Sequence, residues 1–184
     1  MFEKLRTYFL NNEIKNKLPK IVREKKLTHP DYAKTIGIIY TVGEENEYVA
    51  ITNFVSRLQA GKKEVRTLGW VNYKNLPHYC YPRLMFDYVT KKNINWYQKP
   101  LGEKVVDFIN KDFDILMNID NSDNPSLAYA AALSAAKLKV GVFSETNRKF
   151  YDLMISLEEK PEPIVLAQQM LEQIAMLGSK QAAE

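Results

Sequence analysis

Residues 113–141 read FDILMNIDNSDNPSLAYAAALSAAKLKVG, and this stretch decides the fold. It opens with a run of mostly apolar residues typical of a strand buried on both faces, and it closes with a second run of that kind. Between them, Asn124 and Pro125 are a good helix start, because Asn caps a helix and Pro suits its first position. Strand, helix and strand in this order predict two parallel strands joined by a right-handed crossover.

The same alternation continues on both sides of this stretch. The predicted strands are residues 35–42, 65–71, 94–97, 113–119, 138–143 and 151–157. The predicted helices are residues 48–58, ended by Gly61, residues 103–110, a helix from Pro125, and residues 164–177, ended by Gly178. Together they predict an α/β fold over residues 31–178, a three-layer, doubly wound, mostly parallel sheet of the Rossmann-like type. We expect residues 179–184 to be a disordered tail.

The first 30 residues differ from the rest in pattern and charge. Apolar residues recur there at steps of three or four, which predicts an amphipathic helical arm that Pro19 ends or kinks. Eight basic residues against three acidic ones give this arm a net charge of +5, and the remainder, with 18 basic and 19 acidic residues, has −1. We expect the arm to cover its own domain or to contact a second copy of the chain or another protein, with a peripheral contact to an anionic membrane as the alternative.

Composition excludes several classes of protein. With 46% hydrophobic and 26% charged residues the chain is typical of globular domains. Cys80 is its single cysteine, and no run of about 18 apolar residues or signal-type segment is present, so we expect a cytoplasmic protein. We do not expect nucleic acid as a partner, because the basic charge is concentrated in the arm and not on the folded body.

Ligands of doubly wound sheets bind beyond the carboxyl ends of the strands, near the point where the strand order reverses. Three loops of this chain are expected there, and we expect them to line one cleft. Their candidate ligand-binding residues are Thr41, Glu44 and Glu45 after the first strand, Asp120, Ser122, Asp123 and Asn124 after residues 113–119, and Ser144 and Arg148 after residues 138–143.

These loops do not identify a ligand. The first has one glycine among three carboxylates, which disfavours the phosphates of a dinucleotide. The second could hold Mg²⁺ through oxygen ligands, but Pro125 and Ala131 exclude an EF-hand, and Asn124 as a helix cap explains most of the loop. Arg148 suits a carboxylate or phosphate, or an ordinary surface loop. The sequence therefore assigns no metal ligands, and the catalytic residues and the cofactor stay unknown.

Residues 113–141, together with YDLMISL at 151–157, resemble a family of small uncharacterised proteins from Bacteroidetes-type bacteria. That resemblance implies no activity and supplies no catalytic residues. The same stretch also looks like the acceptor-side domain of heptosyltransferase-type glycosyltransferases, in which an aspartate-rich strand, a helix of small residues and a strand ending in Gly recur. This second likeness covers 29 of 184 positions, and the remaining residues leave no room for a nucleotide-sugar domain.

Two functional hypotheses follow from the sequence. The first is a non-catalytic α/β binding domain that uses its N-terminal helix as the contact with a partner. The second is a small enzyme or metabolite-binding protein whose cleft lies at the carboxyl ends of the strands. They differ in which part of the molecule carries the function, the basic arm or the three loops.

Overall fold

Six parallel strands form the centre of the computed structural model, which describes residues 2–81, 83–157 and 159–181. The strands are β1 (Thr35–Thr41), β2 (Glu64–Val71), β3 (Phe86–Thr90), β4 (Ile115–Asn118), β5 (Leu138–Val142) and β6 (Leu153–Ile155). Their order is β3-β2-β1-β4-β5-β6, with every neighbouring pair parallel. The order reverses between β1 and β4, as in Rossmann folds. The predicted doubly wound sheet is confirmed.

Helices cover both faces of this sheet and make it the middle of three layers. They are α1 (Phe2–Lys17), α2 (Glu45–Ala60), α3 (Glu103–Asn110), α4 (Pro125–Leu133) and α5 (Pro163–Gln181). Buried residues of α2 and α5 form one core with the sheet, and buried residues of α1, α3 and α4 form the other. The predicted three-layer architecture is therefore confirmed.

The central strand β1 is buried on both of its faces, which explains its continuous apolar sequence. Ile36, Ile38 and Tyr40 belong to the core shared with α2 and α5, whereas Ile39 belongs to the core on the opposite face. All four side chains are completely buried. Because both faces of β1 are covered by helices, the strand has no solvent side that would require polar residues.

The third strand is not where the sequence predicts it. β3 is Phe86–Thr90, and residues 94–97 lie in a turn region in which Ile94 makes an isolated bridge with Pro100. The charged Asp87 interrupts the apolar pattern of β3, so the strand is hard to recognise in sequence. The carboxylate of Asp87 is buried because Arg66 on neighbouring β2 pairs with it at 2.9 Å.

The last helix also extends beyond its predicted end. α5 continues through Gly178 to Gln181, so the prediction that Gly178 stops the helix is wrong. A Cβ atom at Gly178 would lie 3.2 Å from the Cβ of His29, so glycine permits the close approach of α5 to the segment before β1. Residues 182–184 of the expected disordered tail lie outside the described part of the chain.

The N-terminal helix packs on the domain. Leu10 and Ile14 are only 2% and 8% exposed, and they lie in the same core as α3 and α4. Beyond α1, the guanidinium of Arg23 donates to both carboxylate oxygens of Asp152 at 2.7 Å. The helix of the predicted arm, α1, thus lies in the outer layer that also contains α3 and α4, with the core of the domain beneath it.

Candidate functional site

The carboxyl ends of β1 and β4 lie side by side at the point where the strand order reverses. Thr41 ends β1, and Asp120 follows the end of β4 by two residues. The hydroxyl of Thr41 donates a hydrogen bond to Asp120 Oδ1 at 2.7 Å. The topology of the sheet therefore brings two candidate residues that are 79 positions apart into direct contact.

The carboxylate of Asp120 also organises its own loop. Its Oδ1 accepts hydrogen bonds from the hydroxyl of Ser122 at 2.6 Å and from the backbone N–H of Ser122 at 3.3 Å. Its Oδ2 accepts a hydrogen bond from the backbone N–H of Asn124 at 3.0 Å. Asp120 is 8% exposed, so these bonds offset the burial of a charged group. The same bonds leave it little capacity for a ligand.

The rest of this loop starts α4. The side chain of Asn124 accepts hydrogen bonds from the backbone N–H groups of Ser126 and Leu127 at 2.9 and 3.2 Å, which makes it the predicted N-cap. Asp123, which precedes it, is exposed and has a φ of 55°, in the left-handed region. The presence of Asn124 is thus explained by its role as the helix cap, and that of Asp123 by the turn before the helix.

Two residues that the sequence analysis did not single out support the loop after β4. Asn118, the last residue of β4, donates a hydrogen bond from Nδ2 to the hydroxyl of Tyr151 at 2.6 Å. Its Oδ1 accepts the backbone N–H of Asp120 at 3.1 Å. Burial raises the pKa of Tyr151, so its hydroxyl stays protonated. The sequence signal that could have identified this contact is Asn118 itself, a polar residue at the end of an apolar strand.

An open cavity of about 280 Å³ lies beside these residues. Of the nine candidates, only Thr41, Asp120 and Ser122 line it. The opposite wall, residues 160–163 between β6 and α5, was missed by sequence reasoning, and Asn121 fixes it by donating to the carbonyl of Pro161 at 2.8 Å. The cavity is therefore formed by the loops after β1, β4 and β6.

The entrance of α2 gives this cavity an acidic side. Glu44 precedes the first residue of α2, and Glu45 and Glu47 lie in the first turn. Only Glu47 lines the cavity, where its carboxylate occupies the space next to Gly43 that a side chain would otherwise fill. Carboxylates at a helix N-terminus interact favourably with the helix dipole and compete with any bound anion. This geometry disfavours a phosphate ligand at α2.

Six of the nine candidates do not line the cavity: Asp123 and Asn124, described above, and Glu44, Glu45, Ser144 and Arg148. Glu44 and Glu45 are not part of its lining, and Glu45 approaches the imidazole of His78 at 3.9 Å. Ser144 and Arg148 lie in an exposed turn after β5, where Arg148 pairs with Glu145 of the same turn at 3.4 Å. The turn after β5 folds onto itself and is not part of the lining of this cavity, where residues 160–163 lie instead.

A buried lysine lies at the opposite edge of the sheet. Lys139, near the amino end of β5, is 1% exposed and donates a hydrogen bond to the carbonyl of Ala132 in the last turn of α4 at 2.8 Å. Burial above all, together with the nearby charges of Arg23 and Lys25, lowers the pKa of Lys139 to about 7, although the carboxylate of Asp152 opposes this change. Because its amine is enclosed, Lys139 is a cap for the C-terminus of α4.

A second candidate surface lies on α1. Four side chains of its first half and Trp96 on the adjoining loop are between 41% and 65% exposed. The rings of Phe9 and Trp96 meet edge to face at 5.0 Å, and Arg6 Nε donates to the Trp96 carbonyl at 2.7 Å. These contacts join the helix and the loop into one surface, here called the apolar stripe: Phe2, Leu5, Tyr8, Phe9 and Trp96.

A polar cluster beneath the stripe fixes α1 on the domain. The carboxylate of Glu13 pairs with Lys17 at 2.7 Å and with Lys99 at 2.8 Å. It also accepts hydrogen bonds from the hydroxyls of Tyr97 at 2.6 Å and Tyr129 at 3.1 Å. Burial alone would raise the pKa of Glu13, but the bonds from Lys17, Lys99 and Tyr97 outweigh it and lower the pKa to about 2.

Within residues 2–81, 83–157 and 159–181, no three His, Cys, Asp or Glu side chains are grouped so that they could hold a metal ion. The described helices include none that is both long enough and apolar enough to cross a membrane. The two candidate sites are therefore the cavity at the strand-order reversal and the apolar stripe.

The strand order and the crevice at its reversal define a Rossmann-like α/β domain. The chain belongs to a family of unknown function, DUF6913, whose sequence profile matches residues 6–177. Comparison with curated proteins gives no match. The crystal structure of a glycosyl transferase of family 9 from Veillonella parvula DSM 2008 is similar, with 17% identity and a TM-score of 0.46 over 80% of this chain. This chain spans 42% of the length of that protein.

Proposed function

We propose that this protein is a non-catalytic α/β binding domain whose contact surface is the apolar stripe of α1. The observation that carries the proposal is the exposure of Phe2, Leu5 and Phe9 on a helix whose opposite face is fixed in the core by Leu10 and Ile14. Contiguous exposed apolar surface on a folded domain marks an interaction site, whereas single exposed residues are ordinary.

The contacts around the stripe support a preformed surface. Arg6 holds the Trp96 carbonyl, and Glu13 ties α1 to Lys99 and Tyr129. A partner would therefore meet ordered side chains, and little conformational entropy would be lost on binding. In contrast, the carboxylate and amide at the strand-order reversal, Asp120 and Asn124, bond within their own loop.

Site-specific photocrosslinking in the native cell tests this proposal. Leu5 and Val49 are each 46% exposed, and Val49 lies on α2, on the opposite face of the sheet. Replacing either residue by benzoylphenylalanine gives a matched pair of probes. We expect adducts of defined mass, with a protein or with lipid, from position 5 and none of them from position 49. Equal yields from both positions, or none from position 5, would overturn the proposal.

A second candidate function rests on the cavity. Thr41, Asp120 and Ser122 come together beside a space of about 280 Å³, at the location where Rossmann-like folds bind ligands. We propose a small polar metabolite as the alternative ligand. A thermal-shift panel of nucleotides, sugars and amino acids tests it, with Glu47→Gln as the site variant and Glu145→Gln as the control. A ligand whose shift survives Glu47→Gln unchanged would contradict binding in this cavity.

A further inference from the structure

The size of the apolar stripe limits what can cover it. Its five side chains are 41% to 65% exposed, and with about 150–250 Å² available per large side chain they present roughly 400–650 Å². This is similar to the largest apolar patch of an ordinary monomer, about 300–600 Å². A stable protein dimer buries about 800 Å² on each partner. The stripe is smaller than such a face, so a dimer formed through it would also have to bury the charged surface around it.

The charge beside the stripe is positive and uncompensated. An α-helix turns by about 100° per residue, which places Lys4 and Lys15 next to Tyr8, on the border between the stripe and the face that carries Leu10 and Ile14. Both lysines are exposed, and neither has an ion-pair partner in the described part of the chain. The acidic residues of α1 are already paired, Glu3 with Arg6 and Glu13 with two lysines.

The segment that follows α1 also carries exposed lysines, with the exposed Glu24 between them. Lys20 and Lys26 are exposed in the segment that follows α1, and they too make no ion pair among the described residues. A helix with aromatic and leucine side chains on one face and lysines beside them is suited to the boundary between lipid headgroups and acyl chains. The area and the charge together therefore favour one occupant.

We propose that the apolar stripe docks this protein onto an anionic lipid surface. The stripe enters the headgroup region, while Lys4 and Lys15, at its Tyr8 border, reach the lipid phosphates. The inference rests on the proposed function, since it names the partner of the same surface. Because Leu10 and Ile14 hold the other face of α1, the domain binds as a folded body and α1 does not detach.

Vesicle co-sedimentation of the full-length protein tests the inference. One set of vesicles contains equal parts phosphatidylglycerol and phosphatidylcholine, and the other contains phosphatidylcholine alone. We expect binding to the anionic vesicles at least tenfold stronger than to the neutral ones, and weaker binding in 1 M salt. Lys4→Gln and Lys15→Gln should each lower partitioning about fivefold.

Two double variants distinguish insertion of the stripe into the lipid from nonspecific adsorption of the protein. Phe2→Ser with Leu5→Ser should lower binding about tenfold or more, because the buried apolar area is lost. Val49→Ser with Val165→Ser changes similarly exposed residues on the other face of the sheet and should leave binding unchanged. Circular dichroism and thermal unfolding of each variant confirm that it is folded before vesicles are added.

Each outcome decides between supporting and overturning the inference. No binding to anionic vesicles, or binding that both double variants weaken equally, overturns it. If vesicles are not bound but photocrosslinking at position 5 gives protein adducts, the lipid inference fails and the proposed function stands. If neither vesicles nor crosslinks involve the stripe, both fail.

Discussion

Replacing Glu13 by glutamine tests whether the polar cluster holds α1 on the domain. The carboxylate of Glu13 pairs with Lys17 and Lys99 and accepts the hydroxyls of Tyr97 and Tyr129. The amide introduced by the substitution would keep an oxygen acceptor for the tyrosines but would leave both lysines without their carboxylate. We therefore expect Glu13→Gln to destabilise the fold and to increase amide exchange in α1.

The magnitude follows from the pKa of Glu13. Its difference from the ordinary value, about 2 against 4.5, corresponds to about 3.4 kcal/mol at 1.36 kcal/mol per pKa unit. The side chain is 18% exposed, and solvent screening reduces this to roughly 1–2 kcal/mol. For a domain of this size, that lowers Tm by about 3–6 °C.

The sign of the pH dependence provides an independent check. Because the pKa of Glu13 is lowered on folding, its contribution to stability is fully present above pH 4.5 and is lost as the pH falls toward 2. The stability difference between wild type and Glu13→Gln should shrink by roughly two-fifths between pH 7 and pH 3.5.

Urea unfolding at both pH values measures this difference, and hydrogen exchange locates it. Glu3→Gln is the matched control on the same helix, since Glu3 is 73% exposed and pairs only with Arg6 among the described residues. We expect that control to change the unfolding free energy by less than about 0.5 kcal/mol. Equal stability of wild type and Glu13→Gln at pH 7, or a difference that does not shrink at pH 3.5, would refute the reasoning.

Three further substitutions have expected outcomes in urea unfolding. Leu10→Ala should lower stability by about 2–5 kcal/mol, because Leu10 is buried in the core shared with α4, and a loss below about 1 kcal/mol would mean that α1 is not docked. Asp120→Ala should lower it by about 1–3 kcal/mol, since Thr41, Ser122 and the Asn124 backbone lose their acceptor, and an unchanged value would show that the loop does not depend on this carboxylate. Lys139 has a pKa of about 7 when folded and 10.5 when unfolded, so its contribution to stability should rise by roughly 2.7 kcal/mol from pH 6 to pH 9. Lys139→Met should abolish that rise, and the same slope in both proteins would contradict the low pKa.

Most elements of the fold could be predicted because local sequence decides them. β1 and β4 are continuous apolar runs that only a strand covered on both faces requires. α4 begins at Pro125 because Asn124 supplies the cap, and the structure has both hydrogen bonds of that cap. These signals lie within a few residues of the element that they determine.

β3 and the end of α5 depend on distant residues, so the sequence predicted them wrongly. Asp87 is acceptable inside a short strand because Arg66, on the neighbouring strand, compensates its charge. Glycine is common at the ends of helices, but at position 178 its small size allows α5 to pack closely against His29. The local sequence around Asp87 or Gly178 does not include the distant residue, Arg66 or His29, that explains the structure there.

The candidate sites also contain some features that the sequence could predict and others that it could not. The proximity of Thr41 and Asp120 follows from the topology, because adjacent parallel strands end at the same edge of a sheet. The wall at residues 160–163 does not, since it depends on where α5 returns over the sheet. The Glu13 cluster also gave no signal, because its tyrosine partner at position 97 is 84 residues away.

The fluorescence of Trp96 tests the docking of the stripe most directly. The chain has two tryptophans, of which Trp70 is 7% exposed in the core and Trp96 is 50% exposed in the stripe. Titration with vesicles that contain phosphatidylglycerol should shift the emission of Trp96 to shorter wavelength, and brominated acyl chains should quench it, while Trp70 stays unaffected. Emission that neither shifts nor is quenched at saturating lipid would contradict the account.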